Sequence, residues 1–265
     1  MSFRAIAAIP VLLVAISIAV TWGAPDASRT MVDLVQNELV KVVALVGLTV
    51  ATFVFERGDY LRRGWGLNAL CYALLLVHDA SLLLAPGAPT AAVQALRTIL
   101  IVLANLVAVL GTVTLARAWH VAGLAPPGST IARGLVIAVA IGAACVFAGP
   151  SLLLDLKATF GGDPGSAWKA ASDLGDLVSL PLVAPVALTA LAVRGGMLHW
   201  PWVLFTASLL GWLLYDAFAT LPDLVHVEAE TCLKFAEHFR VLAGAAACAA
   251  GLAQWRAARE IDASV

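Results

Sequence analysis

The chain has 265 residues, 62% of them hydrophobic and only 12% charged, with a formal net charge of −1. A soluble domain carries about a quarter charged residues, so an ordinary water-soluble fold is excluded. The arginines are scattered rather than clustered, no GxxxxGK[ST], GxGxxG or GxSxG run occurs, and nothing points to nucleic acid, ATP or a serine hydrolase.

A spanning helix needs about 20 apolar residues. Eight such stretches recur, at roughly 3–22, 38–55, 64–85, 97–117, 131–153, 174–193, 200–221 and 235–255. The expected fold class is all-α, a polytopic transmembrane helix bundle. The connections 23–37, 154–173 and 222–234 are too short for a core of their own, so residues 1–265 form one domain.

The first stretch, 3–22, follows Met1–Arg4 and resembles a signal peptide. Trp22 and Pro25 make Ala24 a poor cleavage point, so an uncleaved signal anchor is expected, with eight spans in all. Cleavage would leave seven. In the second stretch Glu38 and Lys41 pair at i,i+3 near the outer surface, where a lysine can snorkel. The third carries His78 and Asp79 close to its outer end, and the fourth carries Asn105. Pro150 falls at the outer end of the fifth. The sixth opens on Asp173 and Asp176 and is interrupted by Pro181 and Pro185. Tyr215 and Asp216 lie late in the seventh, and Glu237, His238 and Arg240 open the eighth. The small-residue run Ala243–Gly251 permits close helix approach, inside the bundle or in a homodimer.

Charge sets the orientation. Arg57, Arg62, Arg63, Arg117, Arg133, Arg194, Arg256 and Arg259 fall on one set of connections, and acidic residues, Asp26 and Asp223 among them, fall on the other. The positive-inside rule makes the arginine side and the C-terminus cytoplasmic. Trp65, Trp119, Trp200, Trp202 and Trp255 are expected as an interfacial belt at the inner ends. His120 and His199 belong to that interface, and His226 to a solvated acidic loop. The Ala/Leu/Gly/Arg-rich composition suggests a bacterial inner membrane. Cys71, Cys145 and Cys248 fall inside spans and Cys232 in a loop, with no disulfide framework implied.

The second half of the chain faintly echoes the first. His78-Asp79-Ala80 matches Tyr215-Asp216-Ala217 at an offset of 137 residues, and Leu48-Thr49 matches Leu188-Thr189 at 140. The echo fits two parallel four-helix repeats.

Ionisable residues inside a membrane are costly and are read as functional, each with a partner to be named. Here they gather in the outer half. Asp79 and Asp216 have no basic neighbour at i±3 or i±4 on their own helices. The leading expectation is a polar pocket of Asp79, Asp216, Tyr215, Asn105, His78 and His238 that binds, and in its fuller form transports, a small cationic or polar solute. A hydrogen-bond network that only fixes helix packing uses the same residues. His78, Asp79, Asp216 and His238 also have ligand types suited to zinc, and His78 with His238 could hold a b-type haem, which would make the chain a membrane enzyme. A receptor or assembly subunit acting through a partner membrane protein is the remaining class. A retinal protein is excluded, because Lys234 is too near the outer edge of the last span.

Overall fold

Helices begin where a hydroxyl precedes an apolar run. Ser2 accepts from the Ala5 amide at 3.2 Å, Thr90 from Val93 at 3.4 Å and Ser129 from Ala132 at 3.2 Å. These caps open α1 (Phe3–Gly23), α4 (Ala91–Ala116) and α6 (Thr130–Phe160). The computed structural model describes residues 1–84, 90–123, 128–225 and 227–262; His226 and the side chains of Asp26 and Asp223 lie outside the described residues. The other helices are α2 (Asp26–Val54), α3 (Tyr60–Leu84), a short α5 (Ala118–Val121), α7 (Ala167–Ser179), α8 (Val183–Ala192), α9 (His199–Leu224) and α10 (Ala229–Asp262), with no strand among the described residues.

Among the described residues six helical segments are long and apolar enough to cross a membrane: Phe3–Gly23, Ala27–Val54, Ala91–Ala116, Thr130–Phe160, Ala167–Ala192 and His199–Pro222. The chain is a multi-pass membrane helix bundle. α3 and α10 are long enough but too polar or too small in their side chains to join that set. Asn68, His78 and Asp79 interrupt the apolar face of α3, and α10 carries alanines where lipid-facing helices carry leucine.

Two expected connections are largely helical. α2 starts at Asp26 rather than at 38, and α6 runs on to Phe160. Hydropathy reports the depth of hydrocarbon and not the end of the helix, so polar turns beyond the apolar stretch go unseen. The break in the sixth span is present. Pro181 sits in a 3-10 turn, Leu180–Leu182, between α7 and α8. Its missing N–H leaves the chain without one helical bond there.

Seven helices close a ring, α7 and α8 following each other through the Leu180–Leu182 turn. α2 packs on α3, α3 on α4, α4 on α7, α8 on α9, α9 on α10 and α10 back on α2. α1 lies outside the ring against α10, and α6 lies outside it against α7 and α9. α3 and α9 therefore stand on opposite sides of the interior. At one end their aromatic rings fill it: Trp65 lies 5.5 Å from Phe205 and 6.4 Å from Trp202, centroid to centroid. Trp65 is fully buried and Trp202 nearly so. The expected interfacial role fails for these two, because an aromatic near a helix end can turn inward when the ring has space to fill. A turn or two further along, the Trp212 indole donates to the Tyr72 hydroxyl at 3.2 Å across the interior.

The closest seam joins α2 to α10. A Cβ placed at Gly251 would fall onto the Gly47 carbonyl, and one at Gly244 would lie 2.7 Å from Val40 Cγ2. Ala243, Ala245, Ala246, Ala247, Ala249 and Ala250 are all fully buried. The small-residue run is thus used inside the bundle, where dispersion between close backbones replaces the hydrophobic effect that lipid does not supply. Gly251→Ala is expected to lower stability by about 1–3 kcal/mol through overpacking against backbone. Gly23→Ala, where nothing lies within 4 Å, should leave it unchanged. Thermal unfolding of the two variants in the same detergent compares them directly, and equal melting temperatures would contradict the seam.

Candidate functional site

The polar residues of the ring lie at one level. His78 is six residues from the end of α3 and Asp216 eight from the end of α9. At a rise of about 1.5 Å per residue these are depths of about 9 and about 12 Å. Lys41 lies fifteen residues into α2, about 22 Å along that helix. It is 5% exposed.

Lys41 turns inward. Its ammonium donates to Glu38 Oε1 at 3.1 Å and to Asp79 Oδ2, tying α2 to α3. Asp79 Oδ1 lies 2.8 Å from His78 Nδ1. An ionised carboxylate only accepts, so Nδ1 carries the ring proton, and in the neutral ring Nε2 is left with a lone pair. That Nε2 is buried and has no partner among the described residues. The Trp168 ring of α7 stands 5.3 Å from the imidazole, at a tilt.

On the facing wall Arg240 of α10 donates to the Tyr215 hydroxyl, lies 4.4 Å above the Tyr215 ring, and pairs with Glu237 at 3.1 Å. Asp216 has no such partner: its buried Oδ2 meets no donor among the described residues. Asp176 of α7 faces the same space. Asn105 donates from its side-chain amide to the Ala171 carbonyl at 2.9 Å and so closes α4 on α7. Gly175 permits that approach, because a Cβ there would fall onto the Asn105 side chain.

These groups enclose a cavity of about 300 Å³ lined from every helix of the ring except α8. His78, Asp79, Asn105, Tyr215 and Asp216 all line it, and so do Lys41, Asp176 and Arg240. Deeper in, Asn68 accepts from Thr112 at 3.3 Å and extends the polar lining toward the aromatic layer.

His238 is elsewhere. Its Nδ1 lies 3.0 Å from Ser17 Oγ, and Trp22 Nε1 donates to its Nε2 at 3.2 Å. Tryptophan can only donate, so Nε2 accepts and Nδ1 carries the proton. The bonds continue in one direction, from Ser17 to Gln36 at 2.5 Å and from Gln36 to Thr21 at 3.1 Å. This network fixes α1 to α2 and α10. Both His238 nitrogens are engaged on the α1 side, so the structure does not pair His238 with His78 as bis-histidine haem ligation requires. Nor does it gather the four-residue metal set: among the described residues no three His, Cys, Asp or Glu side chains are placed to hold a metal ion.

Sequence reasoning read Lys41 and, with Trp22 near the outer ends, Trp168 as interfacial rather than as cavity residues, and passed over Asn68 altogether. Lys41 carried a readable signal. A lysine well inside an apolar stretch, facing an unpartnered aspartate one helix away, is a candidate cross-helix pair. Trp168 carried none, since an indole near a helix end reads equally as an interfacial anchor.

Breaking a buried pair from one side leaves a lone charge and costs about 3–5 kcal/mol. Lys41→Met and Asp79→Leu are each expected to destabilise on that scale, and the double variant should lose clearly less than the two losses added. Additive losses in a thermal-unfolding cycle would show the two residues to be uncoupled. No protein-family model, curated protein or solved structure matches the chain.

Proposed function

We propose that the chain is a membrane solute-binding protein, and by extension a transporter, that takes a small cationic solute into the central cavity, with Asp216 as the charge-bearing residue. The observation that carries this reading is the unpartnered Asp216 Oδ2 inside a polar cavity of about 300 Å³. A buried acceptor without a donor costs about 1–3 kcal/mol, which a bound cation would recover. Asp79 has a different part. It is already held by Lys41 and His78, so it shapes the site rather than bearing the solute's charge.

The reading extends to topology. α3 and α10 complete eight spans. The arginine-rich connections lie in the cytoplasm, the C-terminus with them, and the membrane is the inner membrane of a bacterium. The two halves are parallel repeats, α2–α3–α4 corresponding to α7/α8–α9–α10. Supporting this, contacts correspond across the halves: α2 against α10 mirrors α7 against α4, and α3 against α4 mirrors α9 against α10. α1 and α6 break the correspondence, as their sequences do.

Butylammonium is a suitable first probe. The purified wild-type protein is expected to be stabilised against heat by it. Asp216→Asn should remain folded, with at least a tenfold loss of butylammonium affinity by calorimetry. Equal affinity in the variant would remove Asp216 from the role assigned to it.

A further inference from the structure

Among the described residues, two cavity-lining side chains on facing helices carry a buried acceptor without a donor. One is Asp216 Oδ2 on α9, and the other is His78 Nε2 on α3, the helix across the ring. His78 is 2% exposed, so no lipid headgroup or bulk solvent reaches its ring. Its Nδ1–H is committed to Asp79, and Asp79 is itself held by the Lys41 ammonium. That arrangement fixes the imidazole orientation, and the neutral ring presents an acceptor. The remaining cavity cations are already occupied, Lys41 by Glu38 and Asp79 and Arg240 by Glu237 and Tyr215. No three ligands converge for a metal among the described residues. Aromatic rings border both walls: Trp168 stands beside His78, and Trp212 lies 5.8 Å from Tyr215, the neighbour of Asp216, in an edge-on contact.

Building on the proposed cation site, we infer that the solute is a small organic amine with donors at both ends, a diamine or an amino alcohol. Its ammonium group meets Asp216, and its second N–H or O–H donates to His78 Nε2. Its aliphatic middle lies between the aromatic side chains, where a bare metal cation or a strongly hydrated anion gains nothing. A quaternary ammonium ion satisfies the charge of Asp216 but carries no N–H, so it leaves both acceptors without a hydrogen bond. A monoamine satisfies one of the two.

The test uses the full-length protein in detergent and the series 1,3-diaminopropane, 1,4-diaminobutane and 1,5-diaminopentane, with ethanolamine, butylammonium and tetramethylammonium beside them. One member of the two-donor set is expected to bind wild type at least tenfold more tightly than butylammonium, and tetramethylammonium should bind more weakly still. His78→Asn keeps an N–H where Nδ1 donates to Asp79 and removes the Nε2 acceptor. This variant should lose the preference for the two-donor ligand over butylammonium. In wild type labelled with nitrogen-15, the His78 Nε2 resonance should move from a free to a hydrogen-bonded position on adding that ligand, a readout that does not depend on the variant folding. If butylammonium binds but no two-donor ligand is preferred, or if the preference survives in His78→Asn, or if the Nε2 resonance stays put, this inference is overturned and the cation site stands. If no ammonium ion binds wild type, the cation site itself fails.

Discussion

A charge buried in a membrane protein must find its counterpart inside, and Lys41 meets that requirement for the whole upper ring. Its ammonium holds Glu38 on its own helix and Asp79 on the next. With Asp79 fixed, His78 is fixed, because the carboxylate accepts the Nδ1–H. With His78 fixed, its second nitrogen faces the interior with nothing to bind. The geometry of one wall of the cavity therefore follows from a single lysine. The α2–α10 glycine seam is what brings Lys41 to that place, since α2 could not sit this close to the bundle axis with side chains at Gly47 and Gly251.

Below that level the interior passes from the Asn68–Thr112 hydrogen bond to an aromatic floor. α3 and α9 face each other, and successive turns contribute matched layers: Trp65 with Phe205, then Tyr72 with Trp212, then His78–Asp79 with Tyr215–Asp216. The lowest layer is closed by aromatic packing, the middle one by a hydrogen bond between two rings, and the upper one is a cavity. A protein that only needed rigid packing would have little use for an opening of this size among charges, because each unsatisfied group in it costs stability. A protein that binds a polar solute needs such groups unsatisfied until the solute arrives.

The sequence was legible where the physics is one-dimensional. Apolar length located the membrane helices, and proline marked the turn between α7 and α8. The depth of His78, Asp79, Asn105, Tyr215 and Asp216 could be counted from helix ends, and all five line one cavity. What failed depended on rotation about a helix axis. His238 sits at the right depth, yet it is one residue off the Glu237–Arg240 face and points to α1. Trp65 and Trp202 sit at the expected height but turn into the ring. Lys41 read as interfacial because residues 26–37 were not read as helix, and starting α2 at Asp26 puts Lys41 well inside the helix rather than in its first turn. Periodicity does not settle these cases, since alanine-rich helices have little apolar moment to say which side faces inward.

Asp79 and Asp216 occupy corresponding places in the sequence echo and corresponding heights in the ring, yet they have opposite circumstances. Asp79 meets the lysine supplied by α2. In the proposed repeat the counterpart of α2 is α7, which brings Asp173 and Asp176 toward Asp216, with Arg240 of α10 also near, whereas Asp79 meets the Lys41 ammonium directly. A parallel repeat on its own would give two equal half-sites. Here one half has neutralised its carboxylate and turned it into a support for His78, while the other has kept its carboxylate open and surrounded it with more negative charge. Under the proposed function that asymmetry gives the cavity two different ends, one anionic and one a neutral acceptor, and a site of that kind would select a solute by both its charge and its length.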